Sequence, residues 1–586
     1  MGAGWRAALG AGLLSAGVLS LSLSVGCDAP SSTPPSTPAA AVDGPATATP
    51  AVALKAPRLV VLLVVDQMRA DYLVRFGHLF EDGLDRVVDE GAWFRRAEIA
   101  HGVTMTSPGH ATIATGTNPS GHGVIQNDWV DRPSAAPAYA VDDPQGAIVG
   151  PPGSDTAGIK GRSPAALRRP TIGAWLKQAS PASKVVAIAY KDRAAVLMAG
   201  DAADGVFWYE PGVRRYVTSS AFAEALPPWV VQFDGEGALD DAGAQPWERA
   251  LPATAYDFVG PDKVAAEGEG DASRFPHPLR DAKDDPKRAF YRLGASPASD
   301  DLSFELALRA LDGEGLGADE HPDLLLLSLS GADLVGHSFG PDSHEIVDYY
   351  VRLDRRLGDL LRELDRRFAG DYALVITADH GGARLPEVAS AGAGGDAHAR
   401  RITGDVFDRE VGKAIAAASV RLGLAEPIPV RDVGEGLWLD LRDAEARGVA
   451  AASARAAVAE ELRRLDFVAD AFSYEELADP ERVEPRRRPW LRRLGRSFVA
   501  DRSPDIQLLG PPGWLLNTRA TGTNHGTPYD YDSQVPIVLF GAGVSGAAGK
   551  KIDAPVWTID VAPTIAALLG IATPEVDGRS LLPYLD

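Results

Sequence analysis

After residue 57 the chain is punctuated by short runs in which nearly every position is apolar: Arg58–Val65 (RLVVLLVV), Lys184–Ile188, Asp323–Leu329, Ala373–Thr377 and Val535–Phe540. A strand with one wet face alternates apolar and polar residues, so uninterrupted runs predict strands buried on both faces. Between them, Ile346, Tyr349, Leu353, Leu357, Leu360, Leu361 and Leu364 recur at helical spacing and predict a helix over 345–368. A second predicted helix, Val561–Leu569, is closed by Gly570. Strands alternating with helices imply an α/β fold, a doubly wound and mostly parallel central sheet with helices on both faces. Two kinds of segment interrupt it. Residues 130–180 and 200–320, rich in Gly, Pro, Asp and Ala, read as inserted loops and covering elements. Residues 385–520, with Ala-rich helical segments and the stretch Arg486–Arg496, read as a cap. The catalytic domain is expected to run from 57 to 586.

The pattern differs at the N-terminus. Arg6 precedes an apolar and small-residue run, Ala7–Val25, which stops at Gly26-Cys27, the form of an export signal. Ser24-Val25-Gly26-Cys27 resembles a bacterial lipoprotein signal in which Cys27 is lipidated, although that pattern usually has Leu where Ser24 stands; the alternative is an ordinary cleaved signal peptide or an N-terminal membrane anchor. Residues 28–56 are Pro/Ser/Thr/Ala-rich, cannot bury enough surface to offset their ordering entropy, and read as an extended tether. The expectation is an exported, periplasmic or cell-envelope protein with a membrane lipid anchor.

Composition narrows the chemistry. Cys27 is the sole cysteine, so the following domain has no disulfide, no thiolate metal ligand and no cysteine to become the formylglycine of a sulfatase. Eighty Asp and Glu against 58 Lys and Arg give a net charge of -22, which argues against a nucleic-acid surface and makes a solvated helix face the reading of Arg486–Arg496. An acidic protein acting on an anion needs local positive charge, which metal ions supply.

Acidic and imidazole side chains sit where such ions would be held. Asp66 follows the first strand; Asp333 and His337 follow Asp323–Leu329; Asp379 and His380 follow Ala373–Thr377; His525 lies in the loop TNHGTPYDYD before Val535–Phe540. Ligands of open α/β sheets bind beyond the carboxyl ends of the strands. Singly, each residue could be a helix cap or a hydrogen-bonded structural histidine; their joint placement gives an oxygen and nitrogen set suited to zinc. The run TMTSPGHATIATG, 104–116, places Pro108 in a helix's first turn and Thr106 at its N-terminus, where an anion is favoured. A metal-activated threonine hydroxyl can act as a nucleophile; the alternative is a plain capping role for Thr104 and Thr106.

The motifs VVDQMRADY, TSPGHATIATGTNPSGHGVIQNDW, AYKDRAAVLMAG, GADLVGHSFGP, ITADHGG and TNHGTPYDYDSQVPIVLFG together resemble the alkaline phosphatase superfamily. They are most similar to the branch that holds nucleotide pyrophosphatase/phosphodiesterases and the threonine-nucleophile alkaline phosphatases of the PafA type. The resemblance extends from Leu59 to the closing VDGRSLLPYL. It implies two zinc ions per active site, one held by Asp333, His337 and His525, the other by Asp66, Asp379 and His380. It further implies that Thr106 forms a phosphothreonine, that Asn127 donates to a phosphoryl oxygen, and that Lys191 and Arg193 recognise the extra charge of a monoester. Ser107 departs from the glycine common in the closest phosphatases and could narrow the pocket or hydrogen-bond within it. The implied activity is phosphate monoester hydrolysis of broad specificity outside the cytoplasm, on small phosphate monoesters, with no nucleic acid and no protein partner evident. The alternative is a type I phosphodiesterase or nucleotide pyrophosphatase on the same two-zinc core. A catalytically dead binding protein would have lost ligands, whereas all six and Thr106 are present.

Overall fold

The computed structural model describes residues 55–268, 273–391, 398–434 and 436–586. Cys27, the export signal and the tether as far as residue 54 lie outside the described residues.

The apolar runs form strands β1 (Leu59–Val65), β3 (Val185–Ala189), β5 (Asp323–Leu329), β6 (Tyr372–Thr377) and β7 (Gln534–Gly541), and two further strands join them, β2 (Ala92–Glu98) and β4 (Gly205–Glu210). They lie in the order β2-β7-β6-β1-β5-β3-β4 within a larger mixed sheet. The centre, β6-β1-β5-β3-β4, is parallel throughout, whereas β7 runs antiparallel to both β6 and β2. β1 explains its own sequence. Leu59, Val61, Leu63 and Val65 enter the core on one face, Val60, Leu62 and Val64 the core on the other, and all seven are fully buried. Each such burial contributes roughly 1.5–3 kcal/mol, so no position on this strand tolerates a polar residue cheaply. The helix His344–Phe368 packs in the first core, and the helices Thr106–Thr115, Asp192–Ala199 and Val561–Leu568 pack in the second.

Register does the positioning. Val65 pairs with Leu329, Val64 with Thr377 and Ser328 with Ala189, so β1, β5, β6 and β3 end nearly level. The residues that follow them emerge at one edge.

The stretches 130–180 and 200–320 hold more than loops. β4, Arg215–Ser219 and Asp142–Val149 lengthen the sheet beyond β3, their aromatic and β-branched residues (GVFWYE, RYVTS) satisfying strand packing between flanking Gly and Asp. Within 385–520, the strands Val430–Val433, Gly436–Leu439, Asp470–Ser473 and Ile506–Leu509 form a separate antiparallel sheet. The helices Gly404–Arg421 and Ala451–Leu462 cover it around a core including Phe407, Ile415, Leu437 and Val458.

The stretch Arg486–Arg496 differs from a plain solvated face. Arg487 pairs with Asp470 and Glu476, while Arg493 and Arg496 donate to the carbonyls of Ile99 and Ala100. The next residue, buried Ser497, accepts from the N–H groups of Gly102 (3.3 Å) and Val103 (3.2 Å). The cap is thereby clamped to the segment leading into Thr106, and a Cβ at Gly102 would stand 2.7 Å from the Leu494 backbone. Among the described residues no helix is long and apolar enough to cross a membrane.

Ser497→Ala removes the acceptor of two buried N–H groups and is expected to cost about 1–3 kcal/mol, measured by urea denaturation; an unchanged midpoint would show that the clamp does not depend on this hydroxyl.

Candidate active site and metal centre

The level strand ends deliver the predicted ligands to one buried cluster. Asp66 leaves β1 with its N–H bonded to the Leu329 carbonyl (3.0 Å). Asp333 and His337 lie one turn apart on the helix Gly331–Phe339, so both reach the same side. Asp379 and His380 follow β6, and His525 arrives from the loop before β7. The donor atoms of Asp66, Asp379 and His380 lie within 4.8 Å of one another, as do those of Asp333, His380 and His525. His380 thus stands between the two groups, its ring stacked on that of His525 at 3.6 Å. His337 approaches Asp333, Nε2 to Oδ1 3.2 Å, and its ring lies 4.9 Å from that of His525.

The histidines are fixed in one tautomer. Nδ1 donates to the Thr523 carbonyl in His337 (2.9 Å), to Gly381 in His380 (2.9 Å) and to Thr104 in His525 (2.7 Å). A carbonyl only accepts, so each Nδ1 carries a proton and each ring, when neutral, presents its lone pair at Nε2, the arrangement that prepares imidazole for a metal. Asp66 Oδ1 and His380 Nε2 are buried without a hydrogen-bond partner. Two donors ~2.1 Å from a tetrahedrally held zinc ion stand roughly 3.4 Å apart. The Nε2–carboxylate separations here are 3.2 Å (His337–Asp333), 3.4 Å (His380–Asp66), 3.5 Å (His380–Asp379) and 3.5 Å (His525–Asp333). The donor set fits divalent metal ions.

Electrostatics point the same way. Burial, reinforced by the charges of Asp333 and Asp379, pushes the Asp66 carboxyl well above its usual range. Burial would raise Asp333 and Asp379 too, but His337 and Lys191 hold the first below that range, and His380 and His110 the second. Burial, with the neighbouring His380 and His337, drives His525 well below the usual imidazole value. Lys191 is buried with its ammonium 2.6 Å from Asp66 Oδ2 and 2.5 Å from Asp333 Oδ2. Despite burial, those two carboxylates keep its pKa raised.

Thr106 opens its helix and is 1% exposed. The helix end is not the free N–H nest that the sequence suggests. The Ser107 N–H donates to Asn127 Oδ1 (2.9 Å), Pro108 has none, and the Gly109 N–H is bonded to the Met105 carbonyl (2.9 Å). The dipole remains, and half-buried Asn127, its oxygen engaged, has Nδ2 left as the donor. Ser107 Oγ is buried without a partner. Arg193 is half-buried; burial opposes its charge, Tyr139 and Asp192 support it most strongly, and Asp66 acts on it as well.

Two residues here were not singled out from sequence. Gln67 takes φ 64°, and from that strained turn its N–H reaches Asp379 Oδ1 (3.2 Å) and its Nε2 reaches Asp333 Oδ1 (2.7 Å). His110 lies 2.9 Å from the Thr106 carbonyl, 3.1 Å from Asp379 Oδ2 and 2.8 Å from Ser328 Oγ. Both lie inside motifs already noted, but their partners are distant in sequence. Gly109 lets the Thr106 helix approach: a Cβ there would meet the Asp379 carbonyl at 2.4 Å.

Zinc at 100 times its Kd is expected to stabilise the protein by about 2.7 kcal/mol, read as a higher Tm by calorimetry and reversed by a chelator. A Tm indifferent to both would overturn the metal centre.

Known proteins share the sequence and fold of this chain. The family model for type I phosphodiesterase / nucleotide pyrophosphatase matches residues 60–532. Alkaline phosphatase PafA of Elizabethkingia meningoseptica is 31% identical, over 89% of this chain and 93% of that protein. Alkaline phosphatase PhoK of Sphingomonas sp is 32% identical, over 90% of this chain and 92% of that protein. The crystal structure of wild-type alkaline phosphatase PafA superposes with a TM-score of 0.81 at 29% identity, covering 91% of this chain and 99% of that one. With an α/β sheet whose level strand ends gather the same motifs, the chain belongs to the type I phosphodiesterase / nucleotide pyrophosphatase family of the alkaline phosphatase superfamily, among relatives of alkaline phosphatase PafA.

Proposed function

We propose that the chain is a zinc-dependent phosphate monoester hydrolase with Thr106 as its nucleophile. The observation that carries the reading is Lys191, a buried cation held between Asp66 and Asp333 beside the threonine's helix, with Arg193 two residues on. A monoester dianion has a non-bridging charge that a diester caps with its second organic group, and cations at that place favour the monoester. The similarity to proteins named alkaline phosphatase supports the same reading.

Asp333, His337 and His525 would hold one zinc ion, and Asp66, Asp379 and His380 a second. When bound, the ions supply Lewis-acid charge for the attacking and leaving oxygens of an in-line displacement. Thr106 Oγ1 loses its proton and bonds to phosphorus as the ester P–O bond breaks; the alcohol leaves with a proton, and a phosphothreonine remains. Water then gives its oxygen to phosphorus and a proton to Thr106, releasing phosphate. Asn127 Nδ2 donates to a phosphoryl oxygen, Lys191 and Arg193 neutralise the others, and His110 and Gln67 hold Thr106, Asp379 and Asp333 in place.

The test is turnover of p-nitrophenyl phosphate against bis-p-nitrophenyl phosphate at alkaline pH. The monoester should be preferred; Arg193→Ala should lower its kcat/KM by ~10²–10³ and affect the diester far less. A diester preference would keep Thr106 and the metals but make the protein a phosphodiesterase, the reading that the family description favours.

Arg6, the run Ala7–Val25 and Cys27 support export and lipid anchoring through a tether at 28–56, which would put phosphate scavenging at the cell envelope. Labelled palmitate should enter the expressed protein and be absent from Cys27→Ala; equal labelling of both would remove the anchor.

A further inference from the structure

A cavity of about 310 Å³ separates the cap from the catalytic sheet. Its lining includes Met105, Asn127 and His525, that is, the residue before Thr106, the proposed hydrogen-bond donor to a phosphoryl oxygen and a candidate metal ligand. Phe407, Leu494, Leu508, Trp514 and Leu516 from the cap and Tyr531 from the loop before β7 line it as well. Gln126 also lines it; this side chain is 6% exposed, and its Nε2 has no hydrogen-bond partner.

We infer that this cavity receives the organic group of the substrate and selects phosphate monoesters of ring-bearing alcohols that carry a hydrogen-bond acceptor. The inference rests on the monoester reading above. The cations Lys191 and Arg193 lie outside this lining, and an ester whose phosphate they hold must send its organic group away from them, past Met105 and Asn127 toward the cap. The walls mix polar side chains such as Gln507 and Asn524 with apolar and aromatic ones, and the latter suit a planar ring. The volume lies at the small end of ligand pockets, ~300–1,000 Å³, so one ring system fills it. A buried amide N–H₂ without a partner is costly to leave unmade, and an acceptor on the ring would complete it. Neighbouring residues thus divide the substrate: Asn127 addresses the phosphoryl group and Gln126 the group that leaves.

The test compares 2-phenylethyl phosphate with ethyl phosphate, whose leaving alkoxides have similar basicity, so that the ratio of kcat/KM reads the ring. The ratio should exceed about 10, fall toward one in Trp514→Ala, and fall likewise in Leu516→Ala should the first variant fail to fold. 2-(4-Pyridyl)ethyl phosphate should surpass the phenyl compound about tenfold, an advantage lost in Gln126→Leu. A wild-type ratio near one, or ratios untouched by these variants, would overturn the inference. Competitive inhibition by 2-phenylethylphosphonate against ethylphosphonate separates the two readings. If neither monoester turns over but the phenyl phosphonate inhibits at least tenfold more tightly, the monoester reading fails and the pocket stands; equal inhibition would sink the pocket.

Discussion

Three carboxylates, Asp66, Asp333 and Asp379, are forced together in a buried space because the strands that carry or precede them end level, Val65 opposite Leu329 and Val64 opposite Thr377. Buried like charges repel in a medium that screens them poorly, and the cost is borne only if positive charge comes with them. Lys191 is one source, bonded to two of the three. The histidines answer the same demand differently: with Nδ1 tied to backbone carbonyls, each turns a lone pair inward, where a cation would be bound. Strand register therefore fixes the charge, and the charge fixes what the site can hold.

That causal order explains what could be read in the sequence. β1 is apolar at every position because both its faces meet a core, so its end, and Asp66 with it, is visible from composition alone. The same holds for Asp379 after β6 and Asp333 after β5. Gln67 and His110 were not visible as functional, because their partners lie across the fold: Gln67 contacts Asp333 and Asp379, and His110 reaches Ser328. Nothing local in a Gln after an Asp, or a His inside a helix, announces such contacts. The helix end at Thr106 was read as a ready anion site, but whether its N–H groups are free depends on Asn127, which no pattern within the helix specifies.

The stretch Arg486–Arg496 teaches a related point. Its charge suggests water, yet two of its guanidiniums satisfy carbonyls just upstream of Thr106. Arginine serves here because its long stem can lie on protein while its fork of donors reaches backbone acceptors. Local charge density cannot distinguish these uses, since both require the same residue.

The cap's placement has a consequence for how specificity can change. Its helix and Ser497 fasten the segment 99–103, which leads directly to Thr106, while Phe407, Leu508 and Trp514 of the same cap line the cavity that His525 also lines. One subdomain thus steadies the segment leading to Thr106 through side chains that bond its backbone, and shapes the space beside it through others. Those bonds rest on Arg493, Arg496 and Ser497, none of them among the residues that line the cavity, and the cap has a hydrophobic core of its own. Its cavity-facing side chains can therefore vary without moving Thr106, whereas changes at Asp66, Asp333 or Asp379 disturb a charge balance on which the whole strand edge depends.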